Sequence, residues 1–127
     1  MFEQDYIMRL IKEMVRTLLK LLFQIDVPHR LPDLMEDQET KETLERLLDM
    51  VDEGKVDDAE NRLYEMLDGQ DYQGLEAALL FYSYLNDKDD DFLLEHDFCR
   101  EEISAGVKNA VSMYGLDSMT ELFLNDC

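Results

Sequence analysis

MFEQDYIMRLIKEMVRTLLKLLFQI, residues 1–25, contains neither glycine nor proline and repeats its apolar residues at helical spacing from Phe2 to Ile25. At about 100° per residue, Ile7, Ile11, Leu18 and Ile25 fall on one line. Leu10, Met14 and Leu21 flank it on one side, and Met8, Val15, Leu19 and Leu22 on the other. From Tyr6 onward the apolar arc spans about 200°, roughly twice the stripe of a surface helix. Arg9, Lys12, Arg16 and Lys20 share the narrow remaining face. A helix this apolar must be covered on more than one side, so the rest of the chain has to supply partners for it.

Those partners read as helices. Two prolines, Pro28 and Pro32, stop the first helix and hold an extended connector, tacked down by Leu31, Leu34 and Met35. A second helix is expected from Gln38 to Glu53, with Leu44, Leu47, Leu48 and Val51 inward and Glu42, Glu45, Asp49 and Asp52 opposite. Gly54-Lys55 turns the chain into a third, Val56 to Asp68, closed by Gly69. The fourth, Tyr72 to Asn86, is apolar nearly all round from Ala77 to Leu85 and is expected at the centre.

After the charged run Asn86–Asp91 and a short turn at Phe92–Glu95, a sixth element shows strong end signals. Cys99 stands at the N-cap with Glu102 three residues on, flanked by the staple pair Phe98 and Ile103. Cysteine caps poorly, so a serine there is expected to stabilise slightly. Ile103, Val107, Ala110, Val111 and Tyr114 form the buried stripe, and Gly115 with Leu116 fits a Schellman closure onto Val111. Ser118-Met119-Thr120-Glu121 opens a last short helix, with Leu122 and Phe123 inward. No segment alternates with period two, so no strand is expected. The reading is a single all-α domain over residues 1–127, a compact bundle of five to seven helices.

Composition narrows function by exclusion. The chain has 127 residues with 31 Asp and Glu against 12 Lys and Arg, a formal charge of −19. Three acids and four bases give +1 over the first 25 residues, leaving −20 on the other 102. Such a field disfavours nucleic acid and anionic membranes. Charges at 9, 12, 13, 16 and 20 interrupt the first helix too often for a membrane span. With no readable secretory signal and two cysteines, Cys99 and Cys127, at no motif spacing, a reducing cytoplasm is the expected compartment.

Chemistry has few footholds. Asp87, Asp89 and Asp91 take positions 1, 3 and 5 of an EF-hand-like frame with Leu94 at position 8. The frame then fails, with Phe92 in place of glycine at 6 and Phe98 in place of glutamate at 12. His29 and His96 are the only histidines, and neither lies in a Glu-x-x-His pair. Cys99 at a helix N-terminus would suit a nucleophile of lowered pKa, but no histidine partner is recognisable. No phosphate loop, zinc spacing or nucleophile elbow occurs. No catalytic residue, cofactor or metal ligand is therefore assigned, and the enzyme question leans to no.

The basic stripe Arg9, Lys12, Arg16 and Lys20 is the one candidate interface. It reads first as a solvated face, then as a subunit contact in which the acidic face of the second helix is the complement, and last as a membrane-surface helix.

Two resemblances add to this. Glu53-Gly54-Lys55-Val56-Asp57-Asp58-Ala59, with Leu63 and Met66, resembles the turn and second helix of a tetratricopeptide repeat. The first-helix signature of that repeat is missing, and no second copy follows at its period of about 34 residues. The opening MFEQDYIMRLIKEMVRTLLKLLF, GKVDDAENRLYEMLD and DF-x-REEI-x-x-G resemble a small family of unknown function from Clostridia-type gut anaerobes. This implies a bacterial, cytoplasmic origin and transfers no catalytic residues. Function is expected to be a non-catalytic protein–protein interaction module, a scaffold or adaptor that binds an unidentified protein or pairs as a homodimer. The alternatives are a ligand binder or enzyme with an inter-helical pocket, and a peripheral membrane protein.

Overall fold

The computed structural model describes residues 2–23, 38–67 and 72–116. Six helices occur among them: α1 (Phe2–Phe23), α2 (Gln38–Asp52), α3 (Val56–Met66), α4 (Tyr72–Asn86), α5 (Asp90–Glu95) and α6 (Arg100–Met113). No strand is present among the described residues. The fold is an all-α bundle.

α4 is its axis. Gly74, Leu75, every residue from Ala77 to Tyr82, Leu85 and Asn86 are buried, and only its first turn, at Tyr72 and Gln73, is exposed, with Glu76, Ser83 and Tyr84 half-buried. It touches α1, α2, α3 and α6, while α1 also packs on α6 and α2 on α3. An apolar surface wrapping a whole helix can be hidden only by neighbours on all sides, which is why α4 takes the middle.

α1 is covered less completely than its sequence demands. Ile11, Met14, Val15, Leu18 and Leu19 are buried, an arc of about 140° at helical spacing. Ile7, Leu10 and Leu22 pack half-buried against the same core. Leu21 and Tyr6 stay 65% and 63% exposed. The chain therefore covers most of the surplus itself and leaves a remnant outside.

The helix ends follow the expected signals with small shifts. Gly54 adopts φ 88 after α2, where its N–H reaches the Val51 carbonyl at 2.9 Å and that of Lys55 reaches Met50 at 2.8 Å. This is a Schellman closure, and it places Glu53 in the turn instead of the helix. α3 stops at Met66, two residues early, because Leu67 turns extended (φ −88, ψ 110). α5 begins at Asp90, ahead of the expected Phe92, because the Asp89 carboxylate accepts the Phe92 N–H at 2.8 Å and caps it. α6 closes as its sequence indicates: Leu116 N–H to Val111 O at 3.1 Å, Gly115 N–H to Ser112 O at 2.9 Å, and Gly115 at φ 72. Its expected stripe is buried throughout, as are Phe98 and Ile103. The last two residues expected in the first helix, the Pro28–Pro32 connector, Gly69, His29, Cys127 and the closing helix lie outside the described residues.

Candidate functional site: a basic face and three polar nodes

Arg9, Lys12, Arg16 and Lys20 are all exposed on the outward side of α1, beside the exposed Tyr6, while the exposed Leu21 lies on the flank of Leu10 and Met14. The core-facing arc lies opposite, so the amphipathic pattern itself turns the bases outward. On α2, Glu42, Glu45, Asp49 and Asp52 are likewise exposed. Asp52 is already engaged at home. It accepts Lys88 Nζ at 2.6 Å and the Tyr84 hydroxyl at 2.7 and 2.9 Å through its two oxygens. The same ammonium lies 4.8 Å from the Tyr84 ring centre and 5.1 Å from that of Phe92, within cation–π range. Partial burial pushes the Asp52 carboxyl up, but the Lys88 and Tyr84 bonds and the Lys88 charge more than reverse this, and it sits below its ordinary value. This first node fastens the end of α2 to the loop after α4.

The second node is Arg100, a residue that sequence reasoning passed over. It is 1% exposed, at the first position of α6. Its guanidinium donates to Asn86 O at 2.7 Å, Asn86 Oδ1 at 3.0 Å, Lys88 O at 2.9 Å and Asp90 Oδ1 at 2.9 Å. The carbonyls at the end of α4 lack helical acceptor roles, and the planar fork of donors satisfies them. Asn86 in turn donates from Nδ2 to Met8 O at 3.0 Å, carrying the link into α1. A polar residue closing an otherwise apolar helix was the available signal for Asn86. Arg100, within the run Cys-Arg-Glu-Glu, had none.

The third node joins α3, α4 and α6. Tyr82 donates its hydroxyl to Glu60 Oε2 at 2.6 Å and lies 3.3 Å from the Tyr64 hydroxyl, which reaches Gly106 O at 3.5 Å. Burial pushes the Glu60 carboxyl up; the Tyr82 bond opposes this, and the charges of Asp57 and Glu102 add to the rise. Burial and the bond to Glu60 likewise raise the Tyr82 phenol far above its ordinary value. A tyrosine in the middle of a fully apolar helix must find a partner for its hydroxyl, and that was the legible hint.

The acidic loop is structural where it is described. Asp89 caps α5, Asp90 meets Arg100, and the chain is already helical at position 4 of the EF-hand-like frame. Among the described residues no three His, Cys, Asp or Glu gather as a metal site. His96 is half-buried, its Nδ1 2.8 Å from Phe92 O and its ring against Gly54. At Cys99, Glu102 Oε1 accepts the backbone N–H at 3.2 Å and the thiol at 3.4 Å. Burial pushes this thiol up, the Glu102 amide pulls against it and the Glu102 carboxylate adds to the rise, the opposite of an activated nucleophile. No helix of the described residues is long and apolar enough to cross a membrane.

The chain matches none of the curated proteins and none of the solved structures with which it was compared. A family model does match, over residues 1–115, which span every described helix; the chain belongs to this family of unknown function, DUF6483.

Proposed function

We propose that the protein is a non-catalytic interaction module, a helical scaffold that docks a protein partner on the outward face of α1. One observation carries this: four exposed bases and two large exposed apolar residues share one helix of a chain whose formal charge is −19. Exposed aromatic and apolar groups set among arginines are the composition of binding surfaces. The three nodes are built from side chains other than Lys12, Arg16 and Lys20, which stay exposed. The sequence resemblance of the α2–α3 hairpin to a tetratricopeptide unit, a scaffold whose usual work is binding, supports the same reading; its turn glycine, Gly54, has φ 88 and its Ala59 is buried. The setting that goes with this reading is a bacterial cytoplasm, in keeping with a free thiol at Cys99.

Site-specific photo-crosslinking in the cell tests it. A photoreactive residue at position 16 is expected to form a protein adduct that the same group at Lys108, exposed on α6, does not form. That adduct should vanish when Lys12 and Lys20 are changed to glutamate. Equal labelling at both positions would sink the reading. The exposed stripe also suits a lipid surface, so vesicles rich in anionic lipid at low salt are the control; the acidic body predicts no co-sedimentation.

A further inference from the structure

α5 (Asp90–Glu95) is the helix that the bundle holds least. Six residues are too few for a helix to stand alone in water, so its contacts have to keep it folded. Yet none of the main helix–helix packings includes α5, and Leu93 is the one buried residue among its six. Leu94 beside it is 77% exposed. What fastens α5 is polar and peripheral. Asp90 accepts Arg100 Nη2 at 2.9 Å, and His96, just past the helix, rests against Gly54. The Lys88 ammonium, paired with Asp52 at 2.6 Å, lies 5.1 Å from the Phe92 ring centre.

The closure of α5 is strained. Phe98 N–H reaches Leu93 O at 2.9 Å and Asp97 N–H reaches Leu94 O at 3.2 Å, the two bonds of a Schellman motif. The left-handed residue this motif needs is Asp97, at φ 57, whereas Gly54 and Gly115 take that place after α2 and α6. Among the described residues no other side chain-bearing position has positive φ. A Cβ in this region disfavours the closed form, and leaving the region relieves it. The seam beneath does not depend on α5. Arg100 Nη1 donates to Asn86 O and Oδ1, and Asn86 donates on to Met8 O, so these bonds tie α6, α4 and α1 together directly.

We propose that α5 is a latch: Asp90–His96 swings off the folded bundle, hinged at Asp97 and at the loop Asp87–Asp89, while the other helices stay packed. Opening breaks the Asp90–Arg100 and Phe98–Leu93 bonds and frees Asp97 from its left-handed conformation. It brings Leu93 out beside Leu94, among the exposed acids Asp91, Glu95 and Asp97. The bundle can thus present a new apolar surface without unfolding. The latch is independent of any docking on α1.

Residue-resolved amide exchange on the full chain at neutral pH tests this. The amides of Phe92, Leu93, His96, Asp97 and Phe98 are all hydrogen-bonded within α5 and its ends, so each exchanges when the latch opens. The five should share one protection factor, about a hundredfold or more below those of Leu79, Leu80 and Phe81 in α4 and Val107 in α6. Leu44→Ala, eight residues before Asp52 on α2, removes core contacts that only global unfolding breaks. It should lower protection in α4 and α6 and leave the five amides as they were. Should that variant fail to fold, wild type in about 1 M urea divides the two groups in the same way, because a local opening exposes little surface. Lys88→Met should lower the five about tenfold by removing the ammonium, and Asp97→Gly should raise them severalfold by removing the strain. Three results would each overturn the latch: five amides as protected as the α4 centre, a fall in step with α4 under Leu44→Ala or urea, or no response to Lys88→Met and Asp97→Gly.

Discussion

Arg100 shows how much one side chain can decide. Four acceptors from the end of α4, the following loop and α5 converge on a guanidinium that water barely reaches. Replacing it with methionine keeps the volume and strips every donor, leaving the Asn86 and Lys88 carbonyls unsatisfied. Breaking a buried charged contact in this way costs about 3–5 kcal/mol. Arg100→Met is therefore expected to lower the urea midpoint steeply, and a loss under about 1 kcal/mol would show that the node is decorative. Gly106 is decisive for the opposite reason, its lack of a side chain. A methyl there would collide with the Tyr82 ring. Alanine favours helix over glycine by about 1 kcal/mol, yet overpacking costs about 1–3 kcal/mol. Gly106→Ala should thus destabilise, and Gly106→Ala with Tyr82→Leu should cost less than the two changes summed. Thermal melts of the four species in that cycle would check both statements.

At the scale of elements, periodicity and end signals were enough to lay out the described bundle. The inward stripes of α2 and α6, the central place of α4 and the Gly54 and Gly115 closures follow from residues within a few positions of one another. What could not be read was whatever two distant elements make together. The Glu60–Tyr82–Tyr64 seam spans α3, α4 and α6, and nothing near Glu60 in the sequence distinguishes it from the exposed acids Asp57 and Asp58 beside it. The same holds for the stripe on α1: its exposure follows from its spacing, whereas the commitment of Asp52 to Lys88 does not. The seam makes a pH prediction. Glu60 has a raised folded pKa, from burial first, so its contribution to stability is present below the unfolded value and is lost as pH rises through the folded one. Glu60→Gln retains an acceptor for Tyr82 and removes the charge. It should melt higher than wild type at neutral pH, with the gap closing as acid protonates Glu60. Asp52→Asn should behave in the reverse sense, because a lowered carboxyl stabilises above its unfolded pKa and loses that contribution as pH falls.

For the whole molecule the governing quantity is a charge of −19 confined to a radius of gyration of about 14 Å. At about 0.01 M salt the screening length is about 30 Å, longer than that radius, and every acid on the surface repels every other. Unfolding spreads the charge, so low salt favours the unfolded chain. Raising salt to about 0.15 M cuts the screening length to about 8 Å and removes most of this repulsion. Arg100–Asp90, with the arginine buried, is screened less than the exposed pair Lys55–Glu53. The melting temperature should therefore climb with sodium chloride over this range instead of staying level. Scans at about 0.01, 0.05 and 0.15 M sodium chloride read the effect directly, and a melting temperature that stays level across them would show that repulsion among the surface acids does not limit the fold.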